Sequence, residues 1–97
     1  MWILTRIKKN SGYVYFWELA DYSSPISYGV LSAIVLFKLD CNVPRKFLPL
    51  SGTFYKGQMG QGDTFASGKD PQEEWRYASP DSIREHQFKL VYDYAGE

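Results

Sequence analysis

The chain has 97 residues, and its eleven basic and eleven acidic side chains cancel. That balance argues against a nucleic-acid binder, which shows a basic excess or stripe; the adjacent pairs Lys8-Lys9 and Arg45-Lys46 fit solvated strand ends. A hydrophobic share of 44%, with 18% aromatic, supports one thin core in a single domain over residues 1–97, since chains this short bury roughly 60–65% of their unfolded surface.

Residues 2–7 read as a first strand, with Ile3, Thr5 and Ile7 on one face. Lys8-Lys9-Asn10-Ser11-Gly12 makes a turn, because Asn and Gly tolerate positive φ. In residues 13–22, Tyr13, Tyr15, Trp17 and Leu19 alternate with Val14, Phe16, Glu18 and Ala20, so the first two strands form a hairpin. Residues 23–29 are a polar connection containing Pro25 and Gly29, expected to be exposed.

The longest apolar run, residues 31–41, reads as the central strand, covered on both faces at its centre. It ends at Cys41 and the turn Asn42-Val43-Pro44. Residues 45–55 form a weaker strand, in which Pro49 lacks a ladder N–H and so calls for an edge position or a bulge. Glycines at 57, 60, 62 and 68 punctuate the next stretch, with a short strand at 64–67. Ser79-Pro80-Asp81-Ser82 is a helix start: Ser79 caps, Pro80 takes the first helical position, and Asp81 suits the dipole. The helix is expected over residues 80–94, with Ile83, Gln87, Leu90 and Tyr94 on one side and Phe88, Val91 and Tyr92 beside them. The whole is an α+β fold: an antiparallel β-sheet of about four to five strands with one C-terminal α-helix packed against it.

Chemistry is hard to find in these residues. Lys56-Gly57-Gln58-Met59-Gly60-Gln61-Gly62 lacks the glycine spacing of a phosphate cradle and reads as a hairpin loop. Cys41 and His86 form the candidate nucleophile–base pair, with Asp21, Asp40 or Asp93 to orient it, but a surface histidine on the helix is the simpler reading. One Cys and one His cannot build a structural zinc site. Asp63, Asp70, Glu73 and Glu74 fit a solvated acidic loop better than a calcium loop. No cofactor or metal is expected, and no catalytic residue is assigned. Glu18 and Asp21, three apart on a strand, point to opposite faces and do not form a paired-carboxylate site. The face of Tyr13, Tyr15 and Trp17 is either sheet packing or an open aromatic platform; packing is the weightier reading, because a small domain has few other ways to fill a core. A lone cysteine forms no intrachain disulfide. The start at Met1 lacks the form of a signal peptide, and no run approaches the about 20 apolar residues of a membrane span. From the residues alone, a soluble chain that is not exported is expected.

Trp17-Glu18-Leu19-Ala20-Asp21-Tyr22, Leu39-Asp40-Cys41, Phe54-Tyr55, Gly60 with Gly62, and Trp75 followed by Ser79-Pro80-Asp81-Ser82 occur in an ordered combination. That combination, over about residues 7–90, resembles the surface-adhesin protein E family of bacterial envelope proteins. The resemblance implies an antiparallel sheet with a C-terminal helix and a secreted, periplasmic or outer-membrane-associated location. It also implies a non-enzymatic domain that contacts proteins, with extracellular matrix or plasma proteins as partners and a homodimer as an alternative state. Family members carry an export signal and a further N-terminal strand, and their cysteine at the Cys41 position commonly pairs with one near residues 91–93; here those are Val91, Tyr92 and Asp93. Loss of such a bridge costs a small domain about 2–5 kcal/mol, which helix packing must replace. Contact residues are expected on the 23–29 loop, the 57–68 loop and the sheet: Tyr13, Tyr15, Trp17, Tyr28, Lys56, Gln58 and Met59. Cys41, Trp75, Ser79 and Pro80 are expected to be structural.

Overall fold

A computed structural model describes residues 2–43, 46–69 and 74–95. Pro44 of the expected turn, Arg45 at the start of the fourth strand, the acidic candidates Asp70 and Glu73, and the intervening Pro71-Gln72 lie outside the described residues. The elements are β1 (Trp2–Asn10), β2 (Tyr13–Asp21), a short 3-10 turn (Ser27–Gly29), β3 (Ser32–Asp40), β4 (Lys46–Tyr55), β5 (Thr64–Lys69), β6 (Arg76–Tyr77) and α1 (Ile83–Ala95). The strands form an antiparallel sheet in the order β1-β2-β3-β4-β5, and the two-residue β6 adds to β4.

Short connections dictate this order. Asn10 pairs with Tyr13, and the two residues between them, Ser11 (φ 53°) and Gly12 (φ 84°), both take positive φ. That backbone matches strand twist and closes a tight hairpin. The second positive-φ position falls on Gly12 as expected, but the first is Ser11, not Asn10. All nine residues of β2 pair with β3, from Tyr13 opposite Asp40 to Asp21 opposite Ser32. β1 departs from even pairing between Thr5 and Lys8, where Arg6 has φ 53°, as in a bulge.

α1 lies on the face of Val14, Phe16, Phe37 and Leu39 and brings Phe88, Val91 and Tyr92 to the core. Val14, Phe16, Leu39 and Val91 are fully buried. Phe16 stacks on Phe37 with ring centroids 5.4 Å apart and meets Phe88 edge-on at 6.2 Å. Burying each such side chain is worth about 1.5–3 kcal/mol.

Three expectations change in detail. β2 buries Val14, Phe16 and Glu18, so Tyr13, Tyr15 and Trp17 are not core packing; they stand half-buried on the face opposite the helix. The helix can cover only one face, and the tyrosines keep their polar tips near water. α1 begins later than expected, at Ile83, because Ser82 and not Ser79 is its cap: the Ser82 hydroxyl accepts the Glu85 N–H at 3.1 Å, and the Glu85 carboxylate accepts the Asp81 N–H at 3.1 Å. Ser79-Pro80-Asp81-Ser82 is instead a turn, with the Ser82 N–H donating to the Ser79 carbonyl and Asp81 at φ 63°. Pro in the second position and positive φ in the third suit that turn. The helix also buries a different side: Ile83, Leu90 and Tyr94 are exposed, and Gln87, Phe88, Val91 and Tyr92 face the sheet.

Pro49 sits where both of its expected accommodations occur. The β3–β4 register shifts at Leu36/Phe37, which makes Leu50 an extra residue. On the outer edge of β4, β5 pairs up to Ser51 and β6 pairs from Phe47, so neither reaches Pro49. The far end of α1 is tied down by the Tyr92 hydroxyl, which donates to the Asp40 carbonyl at 2.7 Å. Tyr92 thus holds the helix beside Cys41, a half-buried cysteine packed against the core.

Candidate contact surfaces

The two loops expected to make contacts meet at one end of the sheet. The β4–β5 hairpin is closed by Lys56 N–H to Asp63 O (2.9 Å) and Gly57 N–H to Gln61 O (3.0 Å). It folds back over the face opposite the helix. Buried Ser32 donates to the Gly57 carbonyl at 2.6 Å and accepts the Gly60 N–H at 2.9 Å. The Met59 N–H donates to Asp21 Oδ1 at 3.0 Å, and Gln58 Nε2 donates to the Tyr22 carbonyl at 3.3 Å. Gly60, at φ +70°, lies so close that a Cβ there would stand 3.0 Å from Ile34 Cδ1. Gly60 therefore serves close packing of the loop on β3, whereas Gly57 and Gly62 close-pack on each other within the hairpin. Coverage of the central strand is split, with the loop over its Ser32 end and the helix over its Phe37–Leu39 end on the other face.

Beside this anchored loop, Tyr28 of the 3-10 turn stacks on Phe65 of β5 with centroids 5.3 Å apart and planes at 14°. The Lys56 ammonium lies 5.9 Å from the Phe65 ring centre. Tyr28 is 79% exposed and Phe65 43%. Two large rings that cover each other yet remain in water form a stiff apolar surface with a cation beside it. Met59, also exposed, sits on the same loop. The sequence pointed to Tyr28, Lys56 and Met59 but missed Phe65, whose partner is 37 residues away in the chain.

At the opposite end, Tyr13 stacks on Trp75 at 6.0 Å. The Lys38 ammonium lies 4.0 Å from the Tyr13 centroid, 5.8 Å from Tyr15 and 5.7 Å from Trp75, while Lys46 approaches Trp75 at 4.7 Å. Trp17 is on the same face, opposite Leu36. The expected contact residues thus divide into two groups at opposite ends of the sheet, and Trp75 joins the second.

The profile of the surface-adhesin protein E family matches residues 2–91. The chain belongs to that family. Its fold is similar to that of Haemophilus influenzae protein E in two crystal structures. Crystal form II matches with a TM-score of 0.66 and 18% identity, over 89% of this chain and 71% of that one. The selenomethionine form matches with a TM-score of 0.64 and 18% identity, over 89% and 70%. No curated protein sequence matches.

In this family member Cys41 is half-buried against the core. His86 is exposed on α1, six residues before Tyr92, or about 9 Å of helix rise from the turn that reaches Asp40. Glu18 and Asp21 point to opposite faces as expected: Asp21 accepts from the hairpin loop, and Glu18 is buried under the helix. Arg84 Nη1 donates to Glu18 Oε2 at 2.9 Å and to Gln87 Oε1 at 2.9 Å, a buried carboxylate satisfied by a guanidinium. Burial first, and the Glu18 charge second, push the Tyr22 phenol above its ordinary value of 10.0, with Arg84 pulling it down. No cluster of metal-ligating side chains occurs among the described residues, and none of their helices is long and apolar enough to cross a membrane.

Proposed function

We propose that this domain is a non-enzymatic, protein-binding module of the bacterial envelope or of a secreted protein, working through the Tyr28–Phe65 end of the sheet. Family membership supports the class. The exposed, stacked Tyr28–Phe65 pair with Lys56 beside it carries the choice of surface. Aromatic anchors held rigid before binding lose little entropy on contact, which is the character of an interface hot spot. The partners in this reading are extracellular matrix or plasma proteins. Immobilised laminin, vitronectin and plasminogen are expected to retain the domain in a salt-tolerant way. A Tyr28→Ser/Phe65→Ser variant is expected to lose retention while keeping its unfolding midpoint, since both rings lie outside the core. No retention across the panel would end this reading.

A second reading, a homodimeric module without a host ligand, draws on the sheet edge. The outer edge of β1 carries Arg6, Lys8 and Lys9 and a bulge, features that discourage edge pairing. β5 offers the better edge, six residues long and exposed throughout. Light scattering decides this: a monomer at high concentration removes the dimer.

A further inference from the structure

On the helix side of the sheet, α1 reaches β4 at Phe47 but leaves β5 exposed, and there the side-chain row Val35–Gly52–Gly68 runs out to the edge strand. Two glycines directly opposite each other leave a lane without side chains. A Cβ at Gly68 would meet nothing within 4 Å, and one at Gly52 would make ordinary contact with Val35 Cγ2 (3.4 Å), Ile34 O (3.6 Å) and Phe54 Cε2 (3.9 Å). Phe54 and Ala66 rise on one side of the lane, Phe37 and Phe47 on the other. The result is a half-open groove of about 510 Å3, within the range of small-molecule sites.

Among the described residues, the charged ones that line it, Lys69, Arg76 and Arg84, are all cationic. Arg84 lies over the Phe37 ring, 5.0 Å from its centre, and among the described residues only its Nη1 donates a hydrogen bond, to Glu18 and Gln87. Its Nε–H and Nη2–H2 groups leave three donors for an acceptor in the groove. Arg76 stands opposite Phe47 on the same face; it has other engagements, but a guanidinium serves several acceptors at once.

We propose that this groove binds a free fatty acid, with the acyl chain along the Gly52–Gly68 lane and the carboxylate at Arg84 and Arg76. An extended peptide is the poorer fit. The groove floor is backbone already paired in the β4–β5 ladder, so peptide amides laid there would lack partners, at a cost an acyl chain does not incur. From Val35 over Gly52 to Gly68 the groove spans two strand spacings, roughly 10 Å, which suits a medium-length chain.

The test uses the purified chain and a fluorescent probe, dansylamino-undecanoic acid, with lauric acid and dodecanol as competitors. Saturable probe fluorescence displaced by lauric acid is expected, with dodecanol at least about tenfold weaker, a loss of about 1.4 kcal/mol. Gly52→Leu fills the lane and is expected to weaken probe binding about tenfold or more. Ala66→Trp, on the exposed edge strand, does the same by a second route should Gly52→Leu fail to fold. Arg76→Met is expected to weaken lauric acid and leave dodecanol unchanged. Absence of saturable binding, unchanged affinity in both lane-filling variants, or dodecanol as strong as lauric acid would overturn the proposal. None of these outcomes bears on retention by matrix proteins, which reads the Tyr28–Phe65 end of the molecule.

Discussion

The two halves of the helix-side face share one sheet and one alternation of side chains, yet they are built for different ends. Over β1–β3, Val14, Phe16, Phe37 and Leu39 meet Phe88 and Val91 and exclude water. Over β4–β5, Gly52 and Gly68 stand where large side chains would otherwise rise, and every residue of β5 is exposed. One helix is too narrow to roof five strands, so the chain spends its bulky residues under α1. Stability is concentrated in the covered half, which leaves the bare half and the loop end free to make contacts.

The largest effect that sharpens this contrast is expected from Phe88→Ala, which removes a ring packed against Phe16 and Phe47. It should cost about 3–5 kcal/mol in urea unfolding, whereas Phe54→Ala, at the half-buried wall of the groove, should cost less than about 1.5 kcal/mol. Equal losses would erase the distinction between the halves. Next comes Arg84→Ala, which strands the Glu18 carboxylate, itself only 4% exposed. Because Arg84 is partly exposed, a loss of about 3 kcal/mol is expected. The paired change Glu18→Leu/Arg84→Met is expected to recover most of it, and equal instability of the pair and the single variant would show that the ion pair is not the cause.

Tyr92→Phe removes only the hydroxyl that donates to Asp40. A loss of about 1 kcal/mol is expected, with faster maleimide labelling of Cys41 under native conditions as the helix end loosens. Tyr22 gives the smallest effect. Its folded-state pKa is raised above the unfolded value of 10.0, so the folded state holds that proton more tightly. The contribution is complete below about pH 10 and is lost as pH climbs through the raised value. Urea midpoints should therefore fall less between about pH 9 and about pH 11 in Tyr22→Phe than in the parent chain; identical falls would remove Tyr22 from the alkaline response.

The first hairpin, the central strand and the C-terminal helix were legible because alternation over residues 13–22, the apolar run at 31–41 and the turn at residues 8–12 are local signals. The choice between the two faces of β2 was not, since Tyr13-Tyr15-Trp17 and Val14-Phe16-Glu18 both alternate well. What decided it was the helix, whose sheet-facing residues are separated from β2 by most of the chain. The same limit applies to the sites. Tyr28 and Lys56 stood out as exposed-loop residues, but Phe65 and the Glu18–Arg84 pair exist only through distant pairing. The β4–β5 groove rests on two glycines that carry no periodic signal, and their opposition across two strands follows from register. Ser79-Pro80-Asp81-Ser82 misled by one turn because it contains two serines, and the Glu85 three residues after Ser82 marks the true cap.

The most direct test adds the same bulk to each half. Ala33, on β3 and 1% exposed, and Gly52, in the bare lane, are each replaced by Leu, and stability is read by urea unfolding. Ala33→Leu should lose about 1–3 kcal/mol by overpacking, while Gly52→Leu should lose nothing and gain up to about 1 kcal/mol, since glycine weakens a strand. A loss in Gly52→Leu as large as that in Ala33→Leu would contradict the account of a packed half and an open one.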